Sequence, residues 1–284
     1  MFSDLDWEER SLLIDGVRFD LEQENEMGDI SKLETDRFRL YKKPGLVNAY
    51  GQVLAKEPTS PVRRMFEIGL WDGGSAVFWA LTLMPDVLIG IDMSQRGDSP
   101  YFTRVLSDRG LTDRIITHWG VNQKDTVRLK ELAAVHAGGE LDLVVDDGSH
   151  LYGPTKASFE ALFPFVRPGG WYIVEDWAWE HMRSGRIPRV DYWERKRSPE
   201  HLLHEIIAAG PSRSSGVGEI LVDPHLFAVR RREAELPADF SLERVTWTRP
   251  RTPRSTRLLQ RLRRLGGRGK RALTRVRTGT TRAA

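Results

Sequence analysis

Between residues 64 and 174 the chain alternates short apolar, β-branched runs with stretches of helical period. The strand-like runs are Arg64 to Gly69, Val87 to Asp92, Ile115 to Gly120, Leu141 to Val145 and Trp171 to Val174. Helical patterns fill the gaps: Ser75 to Leu83, Tyr101 to Asp108, Thr126 to His136, and Thr155 to Phe165, the last expected to stop at Pro168-Gly169-Gly170. Strands joined through helices predict a parallel sheet covered by helices. A further helix is expected over Pro199 to Ala209. Two more strands follow, Glu219 to Val222 and Leu226 to Val229. Their link, Asp223-Pro224-His225, is too short for a parallel crossover, so this pair must be antiparallel. The expected fold is α/β: a mainly parallel sheet ending in an antiparallel hairpin.

Two of these strands end in acid. Leu141-Asp142-Leu143-Val144-Val145 runs into Asp146-Asp147-Gly148-Ser149-His150, and Trp171-Tyr172-Ile173-Val174 runs into Glu175-Asp176. Neighbouring parallel strands lie about 4.8 Å apart, so carboxylates at their ends can converge on one cation. Asp147, Glu175 and Asp176 are the expected metal ligands. Oxygen donors without thiolate favour a hard ion, Mg²⁺ first and Mn²⁺ second. His150 stands beside them as the expected general base, with His181 a distant second. Trp177 and Trp179 are placed to stack on a ligand, to pack in the core or to form a lid.

The first strand leads into Glu67-Ile68-Gly69-Leu70-Trp71-Asp72-Gly73-Gly74-Ser75. Glycines at this turn let a ligand approach the backbone, but the G-x-x-x-G-G spacing is not that of nicotinamide cofactors. Asp92, ending the second strand, suits ribose hydroxyls.

Taken together, Glu67 to Ser75, Asp92, Asn122-Gln123, the Asp146–His150 turn and Pro168-Gly169-Gly170 resemble class I S-adenosylmethionine-dependent methyltransferases. More narrowly, the chain is similar to the metal-dependent sugar O-methyltransferase group (macrocin and mycinamicin type, including proteins described as cephalosporin hydroxylases), over roughly residues 60–232. The resemblance implies a Rossmann-like class I sheet. It implies that Glu67, Gly69, Gly73 and Ser75 hold the methionine end of S-adenosylmethionine, that Asp92 binds its ribose, that Asn122 and Gln123 border its adenine, and that Asp146 lies near the sulfonium. Catechol-type relatives carry a lysine three residues beyond the first metal ligand. His150 stands there in this chain, which matches the sugar-directed pattern. The implied activity is Mg²⁺-dependent transfer of a methyl group to a hydroxyl of a sugar, in a glycosylated natural product or polysaccharide. A non-catalytic module of the same fold, using a basic tail to hold an anionic partner, is the alternative.

Composition divides the chain. Residues 249–284 hold 12 Arg, one Lys and no acid, which leaves 30 basic against 40 acidic residues in the rest. The net charge of +3 therefore belongs to the tail. Leu258, Leu259, Leu262 and Leu265 share one helical face there, but the expectation is a solvated, disordered tail. Weak membrane-surface contact is left open, and nucleic acid is not an expected partner. The expected division is an N-terminal cap over residues 1–58, the methyltransferase domain over 59–248, and the tail over 249–284. Within the cap, Leu12, Leu13 and Val17 are expected on one helix face. The absence of cysteine excludes disulfides, thiolate metal sites and a cysteine nucleophile. The opening residues lack a signal-peptide pattern, and no apolar run approaches the roughly 20 residues of a membrane span. The expected location is the cytoplasm. The expected partner is a small-molecule or glycan substrate, and the resemblance implies a homo-oligomer.

Overall fold

The computed structural model describes residues 2, 5–21, 36–56, 60–181, 196–237 and 239–246. The 249–284 tail, with its leucine face, lies outside the described residues. Residues 1–246 form one compact unit.

The N-terminal segment is built of strands where a helix face was expected. β1 (Asp6–Trp7), β2 (Ser11–Ile14), β3 (Val17–Leu21) and β4 (Phe38–Leu40) form a four-stranded sheet in that order. The reason is local. Ile14 pairs with Val17 across the two-residue loop Asp15-Gly16, and both loop residues have positive φ, 47° and 74°. Asp-Gly is a strong hairpin signal because it tolerates the left-handed conformations such turns require. The period is accordingly two: Leu12 is buried and Leu13 is 40% exposed. Helix α1 (Pro44–Leu54) follows, with proline in its first turn and Leu46, Val47, Tyr50, Val53 and Leu54 facing inward.

The main sheet comprises β5 (Arg64–Ile68), β6 (Val87–Asp92), β7 (Ile115–Trp119), β8 (Leu141–Asp146), β9 (Val166–Glu175), β10 (Val217–Val222) and β11 (Leu226–Arg231). Its order is β10-β11-β9-β8-β5-β6-β7. The first five strands pair in parallel, while β11 runs antiparallel to both β9 and β10. The connecting helices are α2 (Gly74–Leu83), α3 (Pro100–Asp108), α4 (Thr126–Ala137) and α5 (Tyr152–Leu162), followed by α6 (Glu200–Ala209) and the short α7 (Leu242–Val245). One expectation changes: Pro168-Gly169-Gly170 lies inside β9 and does not stop α5. The helix has already closed at Leu162 through a short 3₁₀ turn, and the Pro-Gly-Gly stretch is taken up as a register shift between β8 and β9. Gly170 sits so tightly there that a Cβ would come within 2.7 Å of the Asp142 carbonyl.

Strand side chains alternate between two apolar layers. Met65, Leu88, Leu143 and Ile173 pack with α1, α2, α3 and the N-terminal sheet. Phe66, Ile89, Val144, Tyr172 and Phe227 pack with α4, α5, α6 and α7. Burial on both faces explains why these strands read as near-continuous apolar runs. The chain moves outward through β6 and β7, then returns to place β8 on the other side of β5. The carboxyl ends of β5 and β8 therefore flank the topological switch point, where open α/β sheets take ligands.

Candidate active site

At the switch point the two turns nearly touch. Gly69, with φ of 97°, follows β5, and a Cβ there would sit 2.2 Å from the Asp147 carbonyl oxygen. No other residue type fits. Gly73 also has positive φ, but what crowds it is the Phe102 ring of α3. Ser75 is half-buried in the first turn of α2. Glu67 is fully buried; Oε1 accepts from Trp79 Nε1 at 3.0 Å, and Oε2 is buried without a hydrogen-bond partner. Burial pushes its carboxyl up to about 7, against the opposing pull of Lys42. An orphaned buried oxygen at a switch point is suited to a ligand donor such as an amine.

Asp92 uses both oxygens on the backbone nearby. Oδ2 accepts from Leu70 N at 3.0 Å and Trp71 N at 2.9 Å, and Oδ1 accepts from Ser94 N at 2.7 Å. Asn122 is exposed and accepts from Lys124 N at 2.9 Å. Gln123 turns inward: its Nε2 donates to Asp146, 2.7 Å from Oδ1, and to Ser158 Oγ at 3.1 Å, while its Oε1 accepts from Ser149 N at 3.2 Å.

Asp146 and Asp147 are sequence neighbours with opposite surroundings. Asp146 is 2% exposed and accepts from Gln123, from Ser158 Oγ at 2.6 Å and from Tyr172 OH at 3.0 Å. Burial raises its pKa and these hydrogen bonds oppose the rise. It binds the turn to the layer beneath the sheet. Asp147 faces the rim, a quarter exposed, with His150 Nε2 3.9 Å from its Oδ1.

The group among the described residues that can hold a metal ion is Asp147, His150 and Asp176, whose ligand atoms lie within 4.8 Å of one another. The two carboxylates are hard oxygen donors suited to Mg²⁺ or Mn²⁺, and the imidazole stands beside them as a proton acceptor. His150 and Asp176 both hold positive φ, 52° and 48°, a conformation costly for these residues and concentrated at functional sites. Hydrogen bonds hold both turns: the indole of Trp179 donates to the His150 carbonyl at 2.7 Å, and Asp176 N donates to the His225 carbonyl at 3.1 Å. The imidazole Nδ1 of His150 is buried and has no hydrogen-bond partner. Trp177 donates to the Asp223 carbonyl at 2.9 Å and packs edge-on against Phe227. His181 pairs with Glu200.

Glu175, the third expected ligand, is 3% exposed. Its Oε1 accepts from Lys42 Nζ at 2.7 Å and from the Tyr50 hydroxyl. Burial and the Asp147 charge raise its pKa, and Lys42 opposes the rise. Lys42 also reaches Asp147 Oδ2 at 3.1 Å. Burial works to lower the Lys42 pKa, but Asp147, Glu175 and Glu67 outweigh it, so the ammonium stays charged. The sequence reading passed over both Lys42 and Tyr50. A signal for the lysine existed: Phe38, Leu40 and Lys42 are all buried, and Arg39 and Tyr41 less so. Period two carries Lys42 onto the inward face.

Residues 66–177 match a family model described as a methyltransferase domain. Demethylmacrocin O-methyltransferase of Streptomyces fradiae is 37% identical over 120 residues, covering 40% of this chain and 27% of that one. Mycinamicin VI 2''-O-methyltransferase of Micromonospora griseorubida is 31% identical over 182 residues, covering 58% of this chain and 41% of that one. The chain thus spans less than half the length of these relatives. A solved methyltransferase of the mycinamycin pathway, in complex with Mg, SAH and mycinamycin VI, is 26% identical with a TM-score of 0.49, covering 67% of this chain and 51% of that one.

Proposed function

We propose that the protein, whose residues 66–177 match a methyltransferase-domain model, transfers a methyl group from S-adenosylmethionine to a sugar hydroxyl of a glycosylated small molecule, with the help of a divalent cation. The observation that carries this reading is the convergence of Asp147, His150 and Asp176 beside the Gly69 turn at the switch point. Similar proteins bear the names demethylmacrocin O-methyltransferase, mycinamicin VI 2''-O-methyltransferase and, in one case, a 3'-O-methyltransferase of a rhamnosyl tetracenomycin C, which supports the acceptor class.

The cofactor would supply an electrophilic methyl group, and the cation would lower the pKa of a bound hydroxyl. The remaining work falls to the chain. Asp147, Glu175 and Asp176 would hold the cation. His150, whose Nε2 lies 3.9 Å from Asp147 Oδ1, would accept the acceptor's hydroxyl proton, a contribution typically worth about 10²–10⁴-fold. Glu67, with its unpartnered Oε2, would receive the amino group of the cofactor's methionine end, and Gly69 would leave room for its approach. Gln123 and Asp146 would keep the β8 turn in place beneath. Trp179 would fix the His150 backbone.

The test is methyl transfer from labelled S-adenosylmethionine to a panel of glycosylated macrolides and aromatic polyketides, with and without EDTA. Transfer should vanish on chelation and return with Mg²⁺ or Mn²⁺. Full activity in EDTA would exclude the cation's role, and failure to bind S-adenosylmethionine in calorimetry would exclude the reaction.

A further inference from the structure

Lys42 is 2% exposed, and a buried ammonium is costly unless fully paired. It is fully paired here: 2.7 Å from Glu175 Oε1, 3.1 Å from Asp147 Oδ2 and 3.2 Å from the Tyr50 hydroxyl, with the Tyr50 and Trp79 rings 5.6 and 5.8 Å away. The lysine divides Asp147 between two tasks. Oδ2 goes to Lys42, while Oδ1 faces His150, and Asp147 is also one of the three residues whose ligand atoms converge. A cation held at the rim and the Lys42 ammonium would therefore draw on one carboxylate.

We propose that Lys42 is the resident counter-ion of this carboxylate cluster: it ties Asp147 to Glu175 before a metal arrives, and by competing for Asp147 it weakens the metal's hold so that the ion exchanges readily. The inference rests on the reading of the rim as a metal site. Its physical content is a sign. Lys42 and a divalent cation drawn to one carboxylate repel each other, an effect that at an effective dielectric of about 20 exceeds about a hundredfold in a binding constant. Loss of a contact that orients a ligand typically costs about 10–100-fold. Charge outweighs orientation, so removing Lys42 tightens metal binding even as it loosens the metal-free protein. The affinity of the rim would then be set from the N-terminal segment, through the inward register that Lys42 continues beyond β4. Lys42 is a positioning residue in this account, acting on the reaction through Asp147 and Glu175.

The experiment is Mn²⁺ binding to the full chain, followed by electron paramagnetic resonance without cofactor or acceptor, for the wild type and Lys42→Met. Thermal melts are recorded in EDTA and in Mn²⁺. The variant should bind Mn²⁺ at least about tenfold more tightly, melt lower in EDTA and recover in Mn²⁺. A substitution that merely damaged the fold would not tighten binding. Equal or weaker binding by the variant, with the wild type binding normally, overturns the counter-ion role alone. Absence of Mn²⁺ binding in the wild type overturns the metal-site reading and this inference with it. Lys42→Gln, which keeps a polar partner for Tyr50 and Glu175, carries the same expectation should Lys42→Met fail to fold.

Discussion

The ends of β8 and β9 carry their acidic residues on short turns held by hydrogen bonds, whereas the N-terminal segment reaches the same charges through the long side chain of Lys42 and the hydroxyl of Tyr50. In the first region one backbone step separates opposite roles: Asp146 is tied down by Gln123, Ser158 and Tyr172, while Asp147 faces the rim. In the second, no turn or motif marks the contribution. The lesson is that chemistry delivered by a strand end needs only local geometry. A long side chain can act across an interface, and its role then depends on what happens to lie opposite.

If the rim carries the chemistry, its residues should affect turnover far more than stability. Asp147→Asn is expected to have the largest effect, a loss of about 10³-fold or more in kcat/KM with Mg²⁺ present, because the cation loses a charged ligand. A melting temperature within a few degrees of wild type is the expected companion result, and a collapse of the fold would place Asp147 with Asp146 as a structural group. His150→Ala should lower kcat by about 10²-fold or more. Turnover equal to that of the wild type would give the proton to another acceptor.

Trp179→Phe separates position from chemistry. It removes the indole donor from the His150 carbonyl while keeping an aromatic ring. The expected loss is about tenfold in kcat with KM little changed, and about 1 kcal/mol of stability. Equal losses from Trp179→Phe and Trp179→Ala in KM alone would instead make Trp179 a substrate contact.

An effect of opposite sign, a gain in stability, is expected at Glu67 and tests burial against charge. Its carboxyl is pushed up to about 7 in the folded protein, mainly by burial, from about 4.3 when unfolded. Between these values the folded state binds more protons, so this group lowers stability as pH rises from about 4 to about 7. Glu67→Gln should therefore melt higher than the wild type at pH 8, by an amount worth about 1–3 kcal/mol, and the difference should shrink to nothing near pH 4. These melts belong to the protein without cofactor, since a bound amine would reverse the sign. A constant difference across the range would show that packing, rather than ionisation, separates the two side chains.

The parallel sheet, the closing hairpin and the acidic strand ends were all legible, because each rests on short-range patterns. Apolar runs bounded by glycine and acid can form little else when they alternate with helical periods. The N-terminal hairpin was also written in the chain, at Asp15-Gly16, and was masked by an apolar spacing that fits a helix as easily as a strand. Glu175 shows what such reading leaves out, its contacts with Lys42 and Tyr50. Its place at a strand end was visible, but side chains alternate along a strand, and Glu175 faces inward toward Lys42 and Tyr50 while Asp176, turned by its positive φ, stays exposed at the rim. Composition and periodicity alone thus fix the elements and which of them end in acid. Whether a given carboxylate meets an ammonium, a hydroxyl or the open rim depends on contacts between residues 133 positions apart, as Lys42 and Glu175 are, and packing alone sets those.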